Sequence, residues 1–496
     1  MKPGGLARTS PRCAGIVFGI VIALLLPVGF GIANPSVAAE PSRGLSLSDT
    51  GGLGVVVKNI PVQGVPLTPL FDPANGDLYV PILSSPNVSV ISGSSQSIIA
   101  NVSVGPNREL FPLTPVLDPA TANIYVPYYY QNPLNLSQSY LNLSVISGST
   151  NRVIDNLSIP GGTEHSPTYD GQNGELYVLS GQNVTVISGT SNSVIASIPL
   201  GASGPGGSGT LEAFGILYDQ LNGDLYVANV FTSNVSVISG ATNQVIANLT
   251  SPSPWVFGGS PPVLDSANGD VYLTEWNLTT ATSSLRQSRL AVISGSTNTL
   301  TENVSIGPEP YFFGPLANCS GNDDLYVFQA GVGTNVTIVS GSTNSVVAAL
   351  ELPGGTLIAS FPTFDPGNGN LYWAMGEARG PGPNFSKNLS VISASTNEVL
   401  GTIDVGWQPG PPTYDSSNGD LYVSTYPNNV TVVVPGGSSG STQASPFPLW
   451  SYYAVSGGIV VVVAIVGGLL LIRSTRRKRQ ATEPPQQPSN PPSGPT

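Results

Sequence analysis

The amino-acid sequence predicts an all-β fold, an eight-bladed β-propeller closed by its N-terminal strand and followed by one C-terminal transmembrane helix. Two observations predict the propeller. A motif whose commonest form is NGDLYV recurs eight times, and each copy lies in a unit with four short runs rich in Val, Ile and Tyr. Such runs between Asn, Gly, Ser and Pro are typical of strands and tight turns. Four strands in about 40 to 50 residues is the period of a propeller blade.

The repeat period follows from the tyrosine of the motif. Successive tyrosines are 46 to 54 residues apart, at Tyr79, Tyr125, Tyr177, Tyr226, Tyr272, Tyr326, Tyr372 and Tyr422. The second unit shows the four runs in order, at 112–117, 124–127, 143–146 and 153–159. We therefore expect each unit to form one four-stranded antiparallel sheet.

The last unit is incomplete, and the missing strand is found at the other end of the chain. The eighth unit ends at 429–434 and continues into a Gly/Ser-rich segment without a fourth strand. The run VVVKNIPV at 55–62 matches the fourth-strand pattern seen at 98–104. If it pairs with the last blade, the ring closes without an unpaired edge. Seven blades with one irregular unit is the alternative.

The repeats also resemble a known family. LYVAN at 225–229, NVSVISG at 234–240 and the ATNQVIANLT that follows resemble the YVTN, or YncE-like, family of surface propellers. The resemblance covers essentially the whole of the predicted extracellular domain. It implies the propeller fold and a place on the cell surface. It implies no reaction, because members of the family are mostly cell-surface proteins without an assigned activity.

The N-terminal segment, 1–39, has the pattern of a signal peptide. Lys2, Arg8 and Arg12 precede an apolar run at 14–32, and small residues follow at 37–39. A charged region, an apolar region and small residues at the cleavage point are the features of an export signal. The chain is therefore expected to be exported, with an uncleaved membrane anchor as the alternative to cleavage.

The C-terminal segment predicts a single membrane span at 450–472. Its last nineteen residues carry no charge, aromatic residues precede them, and five basic residues follow at 473–479. This length spans a bilayer, and the basic cluster stays on the cytoplasmic side. We expect a propeller domain at 40–434 outside the plasma membrane, a Ser/Gly/Pro linker at 435–449, and a basic, then Pro-rich cytoplasmic tail at 473–496.

Charge and cysteine content argue against a nucleic-acid-binding protein and against a disulfide-stabilised one. The chain has 28 acidic and 16 basic residues, and only half of the basic residues lie between 40 and 434. An acidic domain is an unsuitable partner for nucleic acid. Cys319 is the only cysteine outside the predicted signal peptide, so the propeller domain has no internal disulfide.

The repeated motif reads as a turn between the first and second strands. Asp and Asn side chains close such turns through hydrogen bonds to nearby backbone, and Gly adopts positive φ without steric cost. A calcium loop is the alternative, because Asp-x-x-Asn-Gly-Asp at 72–77 offers several oxygens. The copies at 121–123 and 321–323 depart from this pattern. We therefore expect no cofactor. A second turn family, SGSTN at 147–151 and 340–344, joins the third and fourth strands.

Binding residues are expected on the face of the disc opposite these turns. There the connections stop repeating, and they are rich in aromatic and basic residues, which is typical of a binding surface on a rigid scaffold. The predicted ligand-binding residues are Tyr128, Tyr129, Tyr130, Trp255, Trp276, Tyr311, Phe312, Trp407, Arg108 and Arg286. Burial of these aromatic residues in small cores is the alternative. The predicted function is binding or adhesion, with an envelope glycan or protein as the partner.

An ectoenzyme, a lyase or hydrolase with carboxylates at the propeller channel, is the alternative function. We assign no catalytic residue. The single histidine, His165, cannot form a metal site of the usual His clusters, and no nucleophile can be placed against it from the sequence.

Fifteen Asn-x-Ser/Thr sequences occur in the chain. In an exported protein these are acceptors for N-linked glycans. Many of them begin the third strand of a unit, where the repeat itself favours Asn. Asn135, Asn277 and Asn384 lie in non-repeating loops and are the predicted glycosylation sites.

Overall fold

The computed structural model describes residues 52–83, 85–105, 110–130, 140–161, 165–200, 213–229, 233–258, 260–277, 279, 286–309, 312–331, 333–353, 358–376 and 386–437. The secondary structure of these residues consists of 35 β-strands joined by turns and loops. Within them no helix is long and apolar enough to cross a membrane. The predicted signal peptide, transmembrane helix and tail lie outside the described residues.

The strands of the first four blades and the closing strand are β1 (Gly54–Pro61), β2 (Leu70–Asp72), β3 (Asp77–Pro81), β4 (Asn87–Ser92), β5 (Ser97–Ser103), β6 (Leu110–Pro112), β7 (Val116–Asp118), β8 (Asn123–Tyr130), β9 (Tyr140–Ser147), β10 (Arg152–Pro160), β11 (Thr168–Asp170), β12 (Glu175–Ser180), β13 (Asn183–Ser188), β14 (Ser193–Pro199), β15 (Ala213–Asp219), β16 (Asp224–Asn229), β17 (Asn234–Ser239) and β18 (Gln244–Thr250).

The strands of the remaining blades are β19 (Trp255–Phe257), β20 (Val263–Leu264), β21 (Asp270–Asn277), β22 (Arg286–Ser294), β23 (Thr299–Glu309), β24 (Phe312–Cys319), β25 (Asp324–Gly331), β26 (Gly333–Ser340), β27 (Ser345–Glu351), β28 (Ile358–Ala359), β29 (Thr363–Asp365), β30 (Asn370–Gly376), β31 (Asn388–Ser393), β32 (Glu398–Asp404), β33 (Pro412–Tyr414), β34 (Leu421–Thr425) and β35 (Asn429–Pro435).

These strands form eight antiparallel sheets, which confirms the prediction of an eight-bladed propeller. Blades 1 to 8, in chain order, are β2–β5, β6–β10, β11–β14, β15–β18, β19–β23, β24–β27, β28–β32, and β33–β35 with β1. Blades 2, 5 and 7 have five strands because their innermost strand is interrupted and pairs with the second strand in two separate segments.

The N-terminal strand closes the ring as predicted. β1 pairs antiparallel with β35 from Gly54 opposite Pro435 to Pro61 opposite Asn429. The backbone N–H of Gly436 also donates to the carbonyl of Leu53 at 3.0 Å. The last blade thereby obtains its fourth strand, and the alternative of seven blades is wrong.

The core lies between adjacent blades rather than within them. Tyr79 and Val88 of blade 1 pack with Ile124 and Ile146 of blade 2 in one buried cluster. The second and third strands of most blades are buried on both faces, which explains why their apolar runs are nearly continuous. The outer strand is exposed on alternate residues, as β18 shows.

Every outer strand contains a β-bulge at the same place. The extra residue has no partner in the third strand, and in seven blades it is aliphatic and 40% to 52% exposed. A bulge twists an edge strand and blocks edge-to-edge pairing with another sheet. The eight bulge residues are Val57, Ile99, Ile154, Ile195, Ile246, Thr301, Val347 and Leu400.

The antiparallel order gives the propeller two unlike faces. We call the side that carries the connections between strands one and two, and between three and four, the turn face. The opposite side, with the connections between strands two and three and from each blade to the next, is the loop face.

Candidate binding face

The repeated motif on the turn face joins neighbouring blades. Asp72 Oδ1 accepts a backbone N–H two residues on, at 2.9 Å, and Asn75 Oδ1 does the same at 2.8 Å. The amide of Asn75 then donates to the carbonyl of Gly148 in blade 2 at 2.9 Å. The hydroxyl of Tyr79 donates to Asn151 Oδ1 of the same turn at 2.6 Å. The motif is therefore a turn that also connects its blade to the next one.

The same tyrosine-to-asparagine hydrogen bond recurs at five further blade junctions, at 2.5 to 2.7 Å. The pairs are Tyr125–Asn192, Tyr177–Asn243, Tyr226–Asn298, Tyr272–Asn344 and Tyr326–Asn397. Within the part of the chain that the structure describes, no group of three or more His, Cys, Asp or Glu side chains could hold a metal ion.

At six blade junctions among the described residues, the first aspartate of the motif lies against a glycine of the next blade. Burial raises the pKa of Asp72, Asp170, Asp219, Asp265, Asp365 and Asp415, and it raises that of Asp219 to about 6. Oδ2 has no hydrogen-bond partner among the described residues in Asp72, Asp219, Asp265 and Asp415. A Cβ on Gly148 would lie only 2.8 Å from Asp72 Oδ2, so the close approach requires glycine.

One junction departs from this pattern at both positions. In blade 6 the aspartate is replaced by Cys319, and in blade 7 the facing glycine is replaced by Ala394. The two residues are buried in one core cluster. A shorter, apolar side chain thus leaves room for the extra methyl group. Burial raises the pKa of the Cys319 thiol to about 11, so the thiol is neutral.

The loop face holds only some of the residues that the sequence singles out. Tyr128 is fully buried in the core cluster between blades 1 and 2, because β8 continues past the predicted strand end and pairs with β6. Tyr129 is half-buried. The backbones of Tyr130, Arg286 and Phe312 belong to β8, β22 and β24. Arg108 and Tyr311 lie outside the described residues.

Blade 5 brings two predicted binding residues, Trp255 and Trp276, together with Glu275 and Arg289, which the sequence did not single out. Register places Glu275 of β21 opposite both Phe257 of β19 and Arg289 of β22. The guanidinium Nε of Arg289 donates to Glu275 Oε2 at 2.6 Å, and Glu275 is fully buried. The same guanidinium lies 4.0 Å from the centre of the Trp255 ring, a cation–π contact. Trp276, next to Glu275, is half-buried and packs against the core between blades 5 and 6.

This ion pair keeps unused hydrogen-bonding capacity. Glu275 Oε1 and Arg289 Nη2 are buried, and neither has a partner among the described residues. A buried ion pair gains little net stability unless its remaining polar atoms are satisfied. The pair places the Arg289 guanidinium against the Trp255 ring at the loop face.

A second aromatic group lies where blades 7 and 8 meet. Trp407 is 41% exposed and Tyr426 is 44% exposed. The ammonium of Lys387 lies 4.1 Å from the centre of the Trp407 ring. Three loops are tied together beneath these side chains: the N–H of Tyr426 donates to the carbonyl of Trp407 at 2.8 Å, and that of Gln408 donates to Ser386 at 3.1 Å. We call Trp407, Tyr426 and Lys387 the aromatic platform.

Tyr426, Glu275 and Arg289 were not among the binding residues predicted from the sequence. Tyr426 follows the short strand β34 and precedes Pro427, so an aromatic residue at a strand end was the available signal. Glu275 and Arg289 are separated by fourteen residues, and only the pairing of β21 with β22 reveals that they touch.

One predicted glycosylation site is in a confined position. Asn277 is 9% exposed, its Oδ1 accepts from the N–H and hydroxyl of Thr279, and its amide donates to Gln287 Oε1 at 3.3 Å. Asn135 and Asn384 lie outside the described residues.

The fold and its faces define the chain as an eight-bladed β-propeller, and comparison with solved structures supports this class. The chain is similar to BamB from Moraxella catarrhalis, with a TM-score of 0.50, 10% sequence identity, and coverage of 77% of this chain and 100% of that one. It is also similar to the Dos1 propeller, with a TM-score of 0.58, 8% identity, and coverage of 77% and 96%. At these identities the likeness concerns the fold alone. No protein-family model and no curated protein matches the chain.

Proposed function

We propose that the protein is an extracellular binding module, tethered to the plasma membrane, whose loop face holds a glycan of the cell envelope. The observation that carries the proposal is the aromatic platform, where two aromatic side chains are more than 40% exposed on loops fixed by backbone hydrogen bonds. Neighbouring exposed apolar side chains, unlike isolated ones, mark interaction sites. A fixed platform also loses little entropy on binding.

The chemistry of the platform favours a saccharide. A sugar ring has one face rich in C–H groups, which packs on an aromatic ring, while its hydroxyl groups hydrogen-bond to neighbouring polar groups. Lys387 supplies N–H donors beside Trp407. The Trp255–Arg289 stack in blade 5 offers a second combination of ring and cation on the same face.

The position of the predicted membrane tether is compatible with a loop face that is open to ligand. Leu53 and Gly436, beyond which the chain continues towards the predicted signal peptide and membrane span, are hydrogen-bonded to each other on the turn face. A tether attached there leaves the loop face unobstructed. The similarity of the repeats to YVTN proteins, which remains a prediction, points to the same location.

The test is cosedimentation of the purified propeller domain, residues 40 to 446, with envelopes of the cells that make it. We expect saturable binding that weakens at least about tenfold in Trp407→Ala and Tyr426→Ala, because exposed aromatic anchors dominate binding energy. Leu221→Ala is the matched control, since Leu221 is 56% exposed on the turn face.

The envelopes are also treated before binding, to identify the chemical class of the ligand. Periodate-oxidised envelopes should bind weakly, and protease-treated envelopes should bind as before. The reverse result would make the partner a protein. Binding that is absent, or equal in all three variants, would refute the loop face as the binding surface.

A further inference from the structure

The outer strands present asparagine side chains in a repeated geometry. Asn101 of β5 and Asn248 of β18 are exposed, and each lies two residues after the bulge residue of its strand. Their Oδ1 atoms accept hydrogen bonds from the hydroxyls of Ser89 and Ser236, both at 2.9 Å. These serines belong to the adjacent third strands and are fully buried.

This geometry leaves the amide nitrogen on the outside. Since Oδ1 is held by a buried hydroxyl, Nδ2 is directed away from the third strand, on an exposed residue. At Asn248 the assignment is supported by Asn229, whose amide donates to Ser236 Oγ at 3.3 Å, so that the serine proton is available to Asn248. Ser144 in blade 2 has two acceptors, the Val104 carbonyl and Asn156 Oδ1, so one proton does not fix the Asn156 amide.

From this geometry we infer that Asn101 and Asn248 are N-glycosylated and that Asn277 is not. Both rim residues begin acceptor sequences, completed by Ser103 and Thr250, which are exposed on the same strands. A glycan on Nδ2 extends into solvent from the rim. On Asn277 it would displace a nearly buried side chain whose oxygen and nitrogen are both hydrogen-bonded.

The same selection applies whether the glycan is added before or after folding, because only a chain whose glycans reach solvent can reach this fold. In the transfer, Nδ2 forms a bond to the anomeric carbon of an oligosaccharide carried on a lipid phosphate. The carbon–oxygen bond to the phosphate breaks, the lipid phosphate leaves, and Nδ2 loses one proton.

The exposed aliphatic bulge residues beside these asparagines offer a surface on which a glycan can pack. Ile99 and Ile246 are 50% and 51% exposed and share a strand face with Asn101 and Asn248, two residues away. The first sugar of a glycan would lie beside these aliphatic side chains.

The inference rests on the export that the proposed function includes, and the experiment separates the two. The full-length chain is produced in its own cells, its surface location is established by added protease, and glycopeptides are analysed by mass spectrometry. We expect glycan mass on Asn101 and Asn248 and none on Asn277. Ser103→Ala and Thr250→Ala should each remove one glycan and leave the Asn–Ser hydrogen bond intact, and Asn101→Gln and Asn248→Gln should give the same losses.

Two results would overturn the inference: unmodified Asn101 and Asn248 in protein that is accessible at the cell surface, or a glycan on Asn277. A chain that added protease cannot reach, and that carries no glycan, would overturn the proposed location as well as the inference.

Discussion

Cys319 and Ala394 replace the aspartate and the facing glycine at the junction of blades 6 and 7. This exchange predicts that substitutions of Asp72 and Gly148, at the junction of blades 1 and 2, have non-additive effects on the free energy of unfolding. In Gly148→Ala the new Cβ would lie 2.8 Å from Asp72 Oδ2 and 2.6 Å from the carbonyl of Ala122. Carbon and oxygen atoms do not normally approach this closely, so Asp72 of blade 1 and the Ala122 turn within blade 2 must each shift by several tenths of an ångström. Overpacking of a close contact costs about 1 to 3 kcal/mol, so we expect a loss of about 2 kcal/mol.

Replacement of the carboxylate should recover part of this loss. Asp72→Cys alone removes the hydrogen bond to the turn backbone and costs about 1 kcal/mol. In Asp72→Cys with Gly148→Ala, one of the two clashes is gone, while the approach to the Ala122 carbonyl remains. We therefore expect the double variant to be about 1 kcal/mol more stable than the sum of the single effects.

The assay is urea unfolding followed by tryptophan fluorescence, in which the fully buried Trp373 reports loss of the core. The control is the reverse exchange at the junction of blades 6 and 7. Cys319→Asp should lower the free energy of unfolding, and adding Ala394→Gly in the double variant should recover part of that loss. If the effects of either pair add within about 0.5 kcal/mol, the two positions are independent and the steric explanation is refuted.

Two further predictions concern acidity and ring closure. Because burial raises the pKa of Asp219 to about 6, from 3.8, its stabilising contribution is complete below about pH 4 and is lost as the pH rises through 6, so the urea midpoint should be higher at pH 5 than at pH 7.5. Asp219→Asn should reduce that difference, and an unchanged difference would contradict the assignment. Deletion of the residues before Val62 should leave β35 unpaired and cause aggregation on size-exclusion chromatography, and a peptide of residues 54–62 should reverse it. A truncated chain that stays monomeric with an unchanged urea midpoint would contradict the role of β1.

The repeats made most of the fold predictable. Copies of one motif fix the blade period, and the missing fourth strand of the last unit identifies the run around Val55 as its replacement. The turn assignment also follows from chemistry, because Asp, Asn and Gly each have a local reason to occupy their positions. The connection from the turn to the next blade was not predicted, since Tyr79 and Asn151 are far apart in the chain and meet only across a junction.

The loop face was predictable in composition and not in detail. Tyr128 and Tyr129 are neighbours in one aromatic run, yet the first is fully buried and the second half-buried, because the extended strand β8 alternates its side chains. The sequence cannot show where a strand stops when no repeat marks its end. The Glu275–Arg289 ion pair could not be predicted either, because it depends on the register of β21 and β22 beyond the repeating part of the blade.

The separation of the two faces makes the binding hypothesis open to a clean test. The hydrogen bonds by which the repeated motif joins neighbouring blades arise from the turn face, through residues such as Tyr79 and Asn75. The loops of the aromatic platform are instead held by backbone groups, so truncation of the Trp407 or Tyr426 side chain leaves those hydrogen bonds intact. Substitution of an exposed surface side chain usually changes the free energy of unfolding by only about 0.5 kcal/mol. A loss of binding in these variants would therefore report on the surface itself and not on unfolding of the propeller.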